Sequence, residues 1–136
     1  MRLESRTGVT AQESWWRRVA VAGAFGVPML LLVEMVLRTG DASPGFVVPN
    51  VLYWVAPHGV VFLAHKFGPF VRGTFLTPAL LAVSAVLVGF WCWTRWSVPP
   101  REAPIAWLLY PLVCVAVLFL VWMATLIHAH HRKLSS

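Results

Sequence analysis

The sequence predicts an all-α, polytopic integral membrane protein with about four transmembrane helices and short loops. Charged residues are 12% of the 136, where a soluble domain of this size carries about 25%. Those charges cluster in short segments between long uncharged runs. Each run is close to the roughly 20 residues that cross a hydrocarbon core. In lipid a lone segment must pair its own backbone groups, so the runs are helices.

Residues 1–18 form a polar cytoplasmic or interfacial segment ending in Trp15, Trp16, Arg17 and Arg18, an aromatic and basic pairing suited to a membrane surface. Thr10 or Ser14 is placed to cap a short interfacial helix, with Glu13 completing a capping box from Thr10. The 19–127 domain holds four spans, at about 19–37, 46–65, 74–94 and 104–127. In the first, Ala22 and Gly26 offer a small-xxx-small face, and Pro28 bends the helix. Residues 38–45 are rich in turn formers. The second span contains Pro49, Asn50, Pro57, His58 and Gly59, and 66–73 is a basic loop around Gly68 and Pro69. The third begins with Pro78 in its first turn and carries Ala85 and Gly89 as a second small-xxx-small pair. The fourth is interrupted by Pro111, and 128–136 is a basic, His-rich cytoplasmic tail.

Whether 46–65 crosses the bilayer is decided by charge. With four spans, Arg2, Arg6, Arg17, Arg18, Lys66, Arg72, Arg132 and Lys133 share one side, and only Arg38, Arg95 and Arg101 lie opposite. With three spans the division is six against five. Cytoplasmic loops are the basic ones, so four spans with both termini cytoplasmic is expected, in a bacterial-type inner membrane, plasma or photosynthetic. The basic residues flank apolar runs and form no groove reader; no nucleic-acid partner is expected. Cys92 and Cys114 fall inside apolar runs and read as small hydrophobes rather than a disulfide.

His58 is the first candidate site residue. A neutral imidazole within a membrane can ligate haem iron or (bacterio)chlorophyll magnesium, with Gly59 leaving room for a macrocycle and Trp54 beside it. Against this, Pro57 strands a carbonyl near position 53 that His58 can satisfy without any cofactor. Glu34 is an intramembrane acid, and Arg38 at i+4 offers it an ion pair; by depth, Asn50 and Tyr53 are its other polar neighbours. His65, His128 and His131 are weak metal candidates if the second and fourth spans pack together, and otherwise a headgroup-facing cluster with Arg132 and Lys133. The run 124–128 (ATLIH) resembles the small-xxx-His approach by which light-harvesting polypeptides hold bacteriochlorophyll, but the apolar stretch that follows the histidine there is absent here.

There is no catalytic triad, HExxH, phosphate loop or paired intramembrane acid, and no enzyme activity is expected. The pattern favours a non-catalytic accessory subunit of a larger respiratory or photosynthetic membrane complex. It would serve electron transport or photosynthesis through helix packing, in contact with pigment, quinone or lipid. Its partners would be lipids, other subunits and a second copy of itself. Two alternatives stand beside it: a haem- or (bacterio)chlorophyll-binding protein with His58 as axial ligand, and a small transporter in which Glu34 and His58 titrate.

Overall fold

A computed structural model describes the backbone of residues 4–67 and 75–134 and the side chains of 12–67 and 75–131. The helices are α1 (Glu4–Thr39), α2 (Pro44–Phe67), α3 (Leu76–Trp96), α4 (Ala103–Trp107) and α5 (Tyr110–Leu134). Four stretches are long and apolar enough to span a membrane: Gln12–Thr39, Pro44–Phe67, Leu76–Trp96 and Ala103–His131, the last combining α4 and α5. The chain is therefore a multi-pass membrane protein with short loops. Below, the terminal end of the bundle is the one bearing the two chain ends, and the distal end is the opposite one.

The helix boundaries follow local chemistry. α1 stops at Gly40, whose φ of 70° is the left-handed conformation that glycine supplies at a helix end; its N–H donates to Val36 O at 2.9 Å. Pro44 then opens α2, where its missing N–H costs nothing. The turn is thus 40–43, shorter than expected. Asp41 Oδ1 accepts from the Ser43 N–H at 2.8 Å. A bond from the Ser43 side chain, and secondarily that from its N–H, holds the carboxyl below its ordinary value of 3.8.

Three expectations are corrected. α1 is continuous through 4–39, so Thr10 and Ser14 lie within the helix rather than at its N-terminus; the Thr10 side chain is outside the described residues. The last helix does not end at 127 but runs to Leu134. The small-xxx-small faces are rotated away from the seams. Ala22, Ala85 and Gly89 are exposed, and a Cβ on Gly26 or Gly89 would meet nothing within 4 Å. The seam of α1 is instead Ala20 and Ala24, with Gly23 facing Ser84 of α3. Gly68, Pro69, Arg72, Arg132 and Lys133 lie outside the described residues or have undescribed side chains.

α3 is the central element. It packs against α1, α2 and α5, whereas α5 packs chiefly on α3. Its buried stripe is Leu76, Ala79, Leu80, Val83, Ser84 and Leu87, spaced at three and four residues as one helical face requires. Burial on α5 is confined to its first turns: Tyr110 and Cys114 are enclosed, and no later residue among those described is buried.

Candidate functional site

A proline beyond the first turn of a helix removes a backbone donor and leaves the carbonyl four residues earlier without its helical partner. For Pro111 that carbonyl belongs to Trp107, and the Tyr53 hydroxyl of α2 donates to it at 2.6 Å. The chain there loosens into i→i−3 bonds, Leu108 N to Ile105 O and Leu109 N to Ala106 O, which is why α4 and α5 are separate helices.

On α2 the residue after each proline bonds back to its own i−4 carbonyl. Asn50 Nδ2 donates to Phe46 O at 2.7 Å, and His58 Nδ1 lies 3.2 Å from Trp54 O. The sequence places His58's partner near position 53; the ring reaches one residue further. Because a carbonyl only accepts, Nδ1 carries the proton and Nε2 is the acceptor. The Ser84 hydroxyl of α3 fills it at 3.1 Å. Tyr110 of α5 also donates to Trp54 O at 3.4 Å. One buried network thus joins α2, α3 and α5, with His58 1% exposed and Tyr110 fully enclosed.

This geometry bears directly on ligation. Both His58 nitrogens are engaged, and Ser84 occupies the approach to Nε2. A macrocycle bound there would have to displace Ser84 and part α2 from α3, so the residues as packed do not fit a haem or chlorophyll. Gly59 is half-exposed, and no described atom lies within 4 Å of where its Cβ would be.

Trp54 links this network to a second site. Its ring lies 5.9 Å from Trp107, and Phe90, Trp107, Tyr110 and Tyr53 continue the aromatic cluster. Above them, at the distal end, is a cleft of about 240 Å³ bordered by Glu34, Arg38, Trp54, Trp91, Arg95 and Trp107. Trp91 Nε1 donates to Glu34 Oε2 at 3.2 Å. Arg38 Nε and Arg95 Nε each stand 4.0 Å from Oε1. The expected Glu34–Arg38 pair is present, joined by two partners the sequence reading missed. Asn50 and Tyr53 are spent on carbonyls instead.

The terminal-end histidines do not converge. α2 and α5 share no extended interface there, and among the described residues no group of three His, Cys, Asp or Glu could hold a metal ion. His65 Nδ1 is buried without a hydrogen-bond partner among the described residues, whereas His128 and His131 lie on exposed turns of α5. Cys92 and Cys114 are free thiols.

No protein-family model, curated protein or solved structure matches the chain. Its chemistry must therefore be argued from its own residues.

Proposed function

We propose that the chain is a non-catalytic accessory subunit of a larger membrane complex, respiratory or photosynthetic, acting through lateral helix packing. The observation that carries this is the position of α5. Beyond Cys114 no described residue of α5 is fully buried and only Leu118, Val121 and Trp122 pack partly against the core, while Val115, Phe119, Leu120, Met123, Leu126 and Ile127 project outward. Lipid tails are as apolar as these side chains, so hydrophobicity alone does not hold such a helix in place; close packing against another helix does. The closed hydrogen bonding of His58 adds support, because it leaves the most conspicuous polar group of the bundle committed to structure.

The proposed setting is a bacterial-type inner membrane with both termini cytoplasmic. Four crossings put both chain ends on one side. That side carries eight basic residues and two acidic ones, Glu4 and Glu13. The distal side balances Arg38, Arg95 and Arg101 against Glu34, Asp41 and Glu102. Lys and Arg thus stand eight against three in favour of the terminal side, which is the bias cytoplasmic loops show.

Purification of the tagged chain from its native membrane in mild detergent tests the reading. Stoichiometric partner subunits are expected, and their release is expected when Phe119→Ser and Met123→Ser are introduced on α5. Recovery as a lone, stable monomer would overturn it.

A further inference from the structure

The distal cleft holds two guanidinium groups around a single carboxylate, and the distances show what they have left to offer. At 4.0 Å from Glu34 Oε1, neither Arg38 Nε nor Arg95 Nε is within hydrogen-bonding range. Glu34 positions both arginines without consuming their N–H forks. It is itself held from the other side by Trp91 Nε1 at 3.2 Å. The side chains are 52% and 44% exposed for the arginines and 33% for Glu34, so a ligand can reach them.

Charge alone does not make this an anion site. Arg38 and Arg95 sit in the last turns of α1 and α3, and each helix C-terminus contributes about half a negative charge. With Glu34, these roughly cancel the two arginines. What remains is directional: two planar forks matched to the oxygens of a phosphate.

The cleft also continues into an apolar groove. A second cavity of about 450 Å³, among α1, α2 and α4, shares Met35, Arg38, Trp54, Pro100, Ala103 and Trp107 with the first and extends to Tyr53 and Leu108. Its lining includes Arg38 at the end of α1 and the aromatic residues Phe46, Tyr53, Trp54 and Trp107. A polar head over an apolar slot is the shape of an amphiphile.

We propose that this cleft binds one anionic phospholipid, its phosphate on the forks of Arg38 and Arg95 and an acyl chain along the α2–α4 groove. The site is complete within one chain, so it stands whether or not the protein joins a complex. It is also distinct from the general attraction of lipid to the basic terminal side.

Native mass spectrometry of the full chain, titrated with dioleoylphosphatidylglycerol and separately with inorganic phosphate, tests the proposal. One phosphatidylglycerol adduct is expected to bind first and to survive activation. Arg38→Gln with Arg95→Gln is expected to weaken it about tenfold or more, the scale of a lost charged hydrogen bond. Arg17→Gln with Arg18→Gln, at the terminal end, is expected to leave it in place. Unchanged affinity in the distal double variant overturns the proposal, as does an equal loss in the terminal one. Phosphate competing with the lipid at equal concentration would show a free-anion site and overturn the lipid assignment. A photoactivatable phosphatidylglycerol on the unmodified protein gives a readout independent of variant folding. Labelling within 34–38, 46–54 or 103–108 is expected, and labelling confined to other segments contradicts the site.

Discussion

The two ends of this bundle are built on different principles. From the distal end down to the middle of the bundle all five helices are joined by directed bonds: Trp91 to Glu34, Tyr53 to Trp107, Tyr110 and His58 to Trp54, and Ser84 to His58. At the terminal end, among the described residues, buried contact is by apolar side chains such as Ala20, Phe75, Ala79 and Leu80, with Phe25 stacked on Phe62. There α5 runs on with no buried residue. A polar group in lipid has no water to fall back on, so each distal bond rejects alternative packings. Among the described residues the buried contacts of the terminal end are apolar, and such contacts discriminate less between alternative packings.

The sharpest way to break this contrast is Tyr110→Ala. It removes an enclosed ring and one donor to Trp54 O. Loss of about 3 kcal/mol is expected, as for buried aromatic truncations, measured by steric trapping in bicelles. A loss matched by Val121→Ala, toward the terminal end of α5, would erase the distinction.

Single hydrogen bonds should cost less. Tyr53→Phe is expected to destabilise by about 1 kcal/mol, in the range found for membrane hydrogen bonds. Pro111→Ala restores a backbone donor to Trp107 O, so the Tyr53→Phe penalty should shrink in that background; an unchanged penalty in the double-mutant cycle contradicts the pairing. Ser84→Ala should cost a similar amount. It should also move the His58 Nε2 resonance in ¹⁵N NMR while leaving Nδ1 protonated, and an unshifted Nε2 would show that the two do not bond.

At the terminal end, His128→Ala is expected to change stability by less than about 0.5 kcal/mol, as exposed substitutions do. The smallest effect belongs to the 40–43 turn. Asp41 is held below its ordinary value by Ser43, so its contribution is present at neutral pH and is lost as pH falls below 3.8 through the lowered value. A ¹³C carboxyl titration of Asp41 should have its midpoint under 3.8 and return toward it in Ser43→Ala.

The four spans were legible because hydropathy and charge clustering register what lipid requires of a chain. Which way each helix faces was not. Residues 20–26 read AVAGAFG, and this run contains two overlapping small-xxx-small registers, Ala20–Ala24 and Ala22–Gly26. Only the neighbouring α3 selects the first, because a span apolar all round carries no stripe to mark its seam. The partner of His58 was recoverable. His58 lies nine residues before Phe67 and Ser84 eight after Leu76, which sets them at one depth on adjacent spans. The second arginine on Glu34 was harder to foresee, because ion pairs between chain-distant residues leave no periodic trace.

The Trp107 carbonyl gives the molecule an order of construction. Proline at position 111 removes the N–H that would normally take it, and the donor comes instead from α2. While the fourth span is being inserted, this carbonyl must sit near headgroup water or stay unpaired, at a cost of several kcal/mol in hydrocarbon. It settles to its final depth only when Tyr53 is already there to receive it. Early membrane exit of the last segment is thereby discouraged until the first three are arranged. A glycosylation-site insertion assay should accordingly find 103–136 deeper and more fully inserted when 1–102 precedes it than after a leader of equal length. Equal insertion in both contexts would mean that the late helix enters the bilayer without waiting for its donor.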